Sequence, residues 1–155
     1  MIQRIQSLYL FLTTLLSLLF LNGSLLSFIN KSGSAIKITL SGIEQGTGGQ
    51  GFELIDKLLP LSIIIILIPI LSMIAIFIFK NRKIQMKVVL ILIILSIVLI
   101  IALIHVSFRI ISKFDATIIP GIKMILPILI LVFSILAYMG IRKDDRLVKS
   151  YDRLR

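Results

Sequence analysis

Charged residues divide the chain into four long uncharged runs. Twenty-six residues separate Arg4 from Lys31, 22 separate Lys57 from Lys80, 21 separate Lys87 from Arg109, and 18 separate Lys123 from Arg142. A membrane-spanning helix takes about 20 apolar residues, within a range of about 17–25. In hydrocarbon the backbone has no water to bond and must satisfy itself, so runs of this length fold as helices. The pattern predicts transmembrane helices over about 6–29, 58–79, 88–108 and 123–141. Outer loops then cover 30–57 and 109–122, an inner loop 80–87 and a cytoplasmic tail 142–155. The stretch IIIILI at Ile63–Ile68 has the β-branched character of a strand in water, and its setting overrides that preference. The fold class expected is all-α: one integral membrane domain over 1–155, built as a four-transmembrane-helix bundle.

The first run has the outline of a signal peptide, with one positive charge in Met1–Gln6 and an apolar stretch behind it. Its apolar part continues through Leu25, Leu26, Phe28 and Ile29, and no A-x-A-like site follows, so a retained first helix is expected. Small and weakly polar residues mark seams where helices approach in lipid. Thr13, Ser17, Ser24 and Ser27 share a face of the first helix with Phe20 between them, with Asn22 and Gly23 nearby. Ser96 and Ser107 share a face of the third helix, and Ser134 and Ala137 a face of the fourth. A packing seam is the preferred reading of these residues over a polar pathway. Pro69 falls mid-way along the second helix, where a kink is expected. Pro60 and Pro127 fall near helix starts, where proline is tolerated. Pro120-Gly121 signals a turn.

Residues 30–57 form the one sizeable loop. AIKITLS, Ala35–Ser41, alternates Ile36, Ile38 and Leu40 against Lys37, Thr39 and Ser41, a strand pattern that Ser41-Gly42 turns into a small β-hairpin. GTGGQG, Gly46–Gly51, matches a dinucleotide fingerprint letter for letter. That fingerprint needs a following soluble helix and an acid about 20 residues on. Here the next element enters the membrane, so the stretch reads as a flexible linker. FELIDKLL then reads as an amphipathic lead-in with Glu53 and Lys57 one helical turn apart.

Composition strengthens the membrane reading. The chain is 58% hydrophobic with a mean hydropathy of +1.12, against about 45–50% apolar in ordinary soluble domains. It has no Cys and one His, which leaves no disulfide, no thiolate site and no histidine-cluster metal site. A net charge of +10 in a soluble protein would suggest nucleic acid. Here the charges fall between apolar blocks, and the bilayer, with anionic headgroups at the cytoplasmic face, is the expected partner. Lys and Arg favour the cytoplasmic side. The N-terminus, 80–87 and the tail carry 11 of them, against 6 in the other two loops. Both termini are therefore expected inside a bacterial cytoplasmic membrane.

The four runs contain no Asp, Glu, Lys or Arg, although intramembrane charge is the usual mark of a functional site. His105 lies four residues before Arg109, and a structural role is preferred for it over pH sensing. No Ser/His/Asp set assembles, so neither catalysis nor a cofactor is expected. Read as a helix, the tail places Leu147, Val148, Tyr151 and Leu154 on one stripe, with Asp145–Lys149 and Lys149–Asp152 pairs available. Three roles are open to it: lying on the inner membrane surface, docking Asp144, Asp145 and Asp152 onto the 80–87 loop, or binding a cytoplasmic partner. The candidate contact residues are Arg4, Arg82, Lys83, Lys87, Arg146, Lys149, Arg153 and Arg155.

Three segments carry a resemblance: MIQRIQSLYL at the start, FKNRKIQMK at Phe79–Lys87, and IRKDDRLVKSYDRLR at the end. Together they resemble a Bacteroidetes family of small four-helix integral membrane proteins, a domain of unknown function. The resemblance spans the chain and implies an inner-membrane protein with four spans. It brings no activity or cofactor, and it implies that Arg4, Gln6, Arg82, Gln85 and the tail form a shared cytoplasmic feature. The function expected is that of a non-catalytic accessory or scaffold protein whose basic face contacts a partner or anionic lipid. The alternative is a small transporter or channel subunit acting as a homo-oligomer.

Overall fold

A computed structural model describes residues 3–31, 33–46, 51–79 and 81–153, with the backbone alone for residues 3, 4 and 147–153. The uncharged runs fold largely as helices: α1 (Gln3–Leu21), α2 (Leu59–Phe77), α3 (Arg82–Phe114) and α4 (Leu126–Arg153). Ile63–Ile68 is helical, and Pro69 sits inside α2 without ending it. At about 1.5 Å per residue α3 is about 50 Å long, well beyond the roughly 30 Å of a hydrocarbon core, so it projects past it. Three helices are long and apolar enough to cross a membrane, and the apolar part of α1, Ile5–Leu21, is shorter. No more than about a third of each crossing window is buried within the protein. The remaining apolar face would be an outsized patch in water and is matched by lipid.

The all-α expectation is overturned by a five-stranded antiparallel sheet. Its strands are β1 (Leu26–Asn30), β2 (Ala35–Ile38), β3 (Ile43–Gly46), β4 (Phe52–Asp56) and β5 (Ala116–Ile119), in the order β4-β3-β2-β1-β5. The first helix thus ends at Leu21 and not near 29. Gly23 takes φ +70 directly after it, a conformation that ends helices and that glycine adopts without steric penalty. Leu26–Asn30 then satisfies its backbone on two partners instead of on itself. Ser27 opposes Lys37 on one side and Ile119 on the other. FELID is likewise strand β4, with Glu53 opposite Gln45, so Glu53 and Lys57 do not share a helical face. The expected outer loop 30–57 supplies β2, β3 and β4 to this one sheet and the expected outer loop 109–122 supplies β5, its first six residues being the end of α3.

The hairpin expected at Ser41-Gly42 is present as β2–β3, the middle of the sheet. Thr39 N–H donates to the Gly42 carbonyl at 2.8 Å. Gly42 has φ +145, and a Cβ there would lie 2.0 Å from the Asp56 carbonyl oxygen, so the turn requires glycine. Of GTGGQG, residues 47–50 lie outside the described residues. Its flanks are the last residue of β3 and the residue before β4, and these two strands are antiparallel neighbours.

Each helix packs against its neighbours in sequence, and α4 against α1, which closes a ring. Apart from Pro69 and Ser107, the buried helix positions repeat at alternating steps of three and four. They are Gln6, Leu10, Thr13, Ser17 and Phe20 on α1, and Leu61, Ile65, Ile68, Ser72 and Ala75 on α2. On α3 they run Gln85, Val89, Leu92, Ser96, Leu99, Leu103, Val106 and Ile110, and on α4 Pro127, Ile130, Ser134, Ala137, Ile141 and Asp144. This is the 3.5-residue repeat of helices that stay in register along a shared seam. Thr13 and Ser17 belong to it, whereas Ser24 and Ser27 lie past the helix. Most of the buried hydroxyls bond backbone carbonyls of their own helix, as Ser96 does to Leu92 at 2.8 Å. Thr14 and Ser72 bond across α1 and α2 at 2.8 Å. At one end of the ring Phe28, Ile36 and Ile38 come down from the sheet onto Phe20, Ile65, Leu103 and Ile110, so sheet and helices share one core.

The native chain has no cysteine, so single cysteines report local exposure cleanly. A membrane-impermeant maleimide is expected to label Ile29→Cys, on the outward face of β1, and to leave Phe28→Cys, buried beneath it, unlabelled. Protection of both sites would indicate a helix continuing through lipid.

Candidate functional site

The end of the ring opposite the sheet gathers the N-terminus of α1, the short turn between α2 and α3, and the C-terminal half of α4. Here the buried repeat turns polar. Gln6, Gln85 and Asp144 occupy its last positions on three helices, each at most 6% exposed. The Gln6 side-chain amide donates to Asp144 Oδ2, joining α1 to α4. Gly140, one turn before Asp144, makes room for this contact: a Cβ there would sit 2.9 Å from Gln6 Cγ. Arg82, at the start of α3, donates from Nη1 to the Asp144 backbone carbonyl at 2.9 Å. Gln85 donates from Nε2 to the Ala75 carbonyl at 3.0 Å. That carbonyl belongs to the last turn of α2, where intrahelical partners run out. Asp144 Oδ1 is buried without a hydrogen-bond partner among the described residues.

Physically this is a clasp. Apolar helices with nearly uniform surfaces can slide or rotate against one another, and a polar group inside the seam fixes one register. The clasp is assembled from three separate segments that carry, in sequence, 11 Lys and Arg against three Asp. Of the expected contact residues, Arg82 is half-buried and committed to the clasp. Lys83, Lys87 and Arg146 are exposed around it, as are Arg142 and Lys143. The side chains of Arg4, Lys149 and Arg153, and all of Arg155, lie outside the described residues. The tail backbone is helical through Arg153 as the end of α4. Its apolar stripe from Leu147 onward also lies outside the described side chains. Of the three aspartates expected to meet the basic residues of the 80–87 loop, Asp144 reaches Arg82 only through its backbone carbonyl, its carboxylate taking the Gln6 amide, and the Asp152 side chain lies outside the described residues.

The sequence reading missed Asp144 as a buried residue. The signal available was its place on the repeat, three residues after Ile141 and seven after Ala137. His105 lies on the exposed face of α3 beside Ile101, Ile104 and Phe108. Among the described residues no cluster of His, Asp or Glu is arranged to hold a metal.

The clasp has a thermodynamic signature. Replacing Gln6 or Asp144 alone by Leu leaves a buried polar partner unsatisfied, which costs about 1–3 kcal/mol. Replacing both removes the unpaired group as well, so the double variant should be more stable than the sum of the singles predicts, by about 1 kcal/mol or more. Reversible unfolding of the reconstituted protein measures all three.

No curated protein and no solved structure matches the chain. A family model does, over residues 2–154. The three elements that build the clasp and the five strands at the other end all fall inside that match, so the chain belongs as a whole to the family described as a domain of unknown function, DUF4293.

Proposed function

We propose that the protein is a non-catalytic accessory or scaffold component of a bacterial cytoplasmic membrane. Its clasped basic end is on the cytoplasmic side and contacts anionic lipid or an acidic partner protein; the sheet caps the other end. The observation that carries this reading is the unequal distribution of charge between two structurally distinct ends. The clasp segments hold 11 Lys and Arg, and the sheet end 6. An excess of Lys and Arg of this size favours the cytoplasmic side. Lys83, Lys87 and Arg146 project from a rigid base because Gln6, Arg82, Gln85 and Asp144 hold the helix ends together.

A scaffold reading also agrees with the helical interior, where the described buried polar groups between clasp and sheet are hydroxyls bonded to backbone or to one another. Such groups stabilise packing and provide no coupled charge for transport.

The test is the triple reversal Lys83→Glu, Lys87→Glu, Arg146→Glu, which leaves the clasp untouched. Each basic residue at an anionic surface is worth about 1 kcal/mol, so at low salt the loss of three cations alone should weaken the binding of this end to an anionic surface or acidic partner by about two orders of magnitude, and the three added carboxylates should weaken it further. Crosslinking capture from native membranes, with a reporter fused after Arg155 to check insertion, reads the effect. Unchanged capture, or solute flux through the reconstituted protein, would contradict the reading.

A further inference from the structure

At the sheet end a groove of about 360 Å³ runs between α3, α4 and the sheet. This volume falls in the range of small-molecule sites, about 300–1,000 Å³. Its walls are apolar: Phe20, Leu26, Leu103, Ile104 and Phe108 contribute to them. The α3 wall runs from Ile100 to Ile111, about 16 Å of helix. Ile104 and Phe108 are exposed at its rim, on the face the helices present to lipid. Ser107 also lines the groove, but its hydroxyl is taken up by the Leu103 carbonyl at 2.7 Å.

One charged side chain enters this lining, Lys123. It lies at the sheet-end border of the fourth apolar run, which is headgroup level for a crossing helix. Its ammonium donates to the backbone carbonyl of Asn22, the residue that follows α1. An ammonium has three donors and no acceptor, so two donors remain after that bond. Among the described residues no carboxylate pairs with Lys123. The carboxylate nearest to it in sequence, Asp115, sits 3.6 Å from Lys31. A long apolar slot with a single cation at its polar end is complementary to an amphiphile with the opposite arrangement, a hydrocarbon chain bearing an anionic head.

We propose that the groove seats one acyl chain of an anionic phospholipid from the leaflet on the sheet side, with the headgroup phosphate on Lys123 Nζ. The site is independent of the basic end discussed above, because it lies at the opposite end of the helices and uses none of the same residues.

The test places the full chain in phosphatidylcholine nanodiscs with phosphatidylglycerol carrying a photoreactive group in its acyl chain, and maps the crosslinks. Label is expected within residues 100–111 and 124–128. Lys123→Gln should lower it about fivefold, the loss expected of one lysine beside an anionic headgroup, and Lys123→Arg should retain it. Because Lys123→Gln also breaks the bond to Asn22, Ile104→Trp gives an independent arm: it fills the slot from its exposed rim and should lower labelling with the cation intact. Equal labelling by the matching phosphatidylcholine probe would overturn the proposal, as would an unchanged signal in Lys123→Gln or in Ile104→Trp. A comparable loss in Lys31→Gln would reduce the effect to general surface attraction and overturn the site as well. Displacement by oleate but not by excess phosphatidylglycerol would assign the groove to a free fatty acid and refute the phospholipid.

Discussion

The pairing of β1 with β5 organises this molecule. β1 leaves the end of α1, and β5 is the short link between α3 and α4, almost ninety residues away. β4, at the other edge of the same sheet, leads into α2. This ladder joins the sheet-side ends of α1, α3 and α4, and the rest of the sheet carries the connection on to α2. Each backbone hydrogen bond in it contributes only about 0.5–1.5 kcal/mol net. The ladder also places Phe28 and Ala116 in the core shared with Phe20 and Ile110. That burial makes its register unambiguous, since a slip of one residue would turn Phe28 outward and Ile29 in.

The two ends of the helices are held by different chemistry. At the sheet end the core is apolar and continuous from strand to helix. At the basic end the repeat closes in Gln6, Gln85 and Asp144, and specificity comes from polar groups that have one good arrangement. Between them lie small residues such as Ser72, Ala75, Ser96, Ser134 and Ala137, all fully buried, which allow close helix approach in lipid. This division leaves the basic side chains free to face outward while the groups beneath them stay fixed. It also leaves Lys123 at the other end as a separate, single cation against hydrocarbon walls.

The spacing of charges located the apolar segments of α2, α3 and α4, because the bilayer imposes a length on any uncharged segment that crosses it, but not the helix ends: α3 extends six residues past its uncharged run on each side and α4 twelve past the end of its own. The alternation of Ile36 and Ile38 was enough to place β2 and its turn. β1 was not legible for a physical reason: LSFIN continues the apolar run of α1, five residues carry too little periodicity, and the partner that makes it a strand is supplied by residues 116–119. FELID failed in the same way, since Glu53 and Lys57 sit at a helical spacing and only β3 turns the segment into a strand. The buried repeat was half visible. Thr13, Ser17 and Phe20 stood out because small and polar residues contrast with leucine. Along Val88–Ile104 of α3 every residue but Ser96 is apolar, so the sequence there gives no contrast between core and lipid. The clasp was foreshadowed by the family resemblance, which grouped Gln6, Arg82 and Gln85 with the tail, but only its place on the repeat of Ala137 and Ile141 distinguished buried Asp144 from half-buried Asp145.

The most direct measurement of the central claim is a disulfide between β1 and β5. Ile29 and Thr117 are directly opposed on the outward face of the sheet, a placement within the reach of a disulfide. In this cysteine-free chain the pair Ile29→Cys/Thr117→Cys should crosslink within one chain on mild oxidation, whereas Ile29→Cys/Ile118→Cys, with side chains on opposite faces, should not. Failure of the first pair to form, or equal yield from the second, would mean that residues 26–30 do not pair with 116–119 and that the helices are not joined by this sheet.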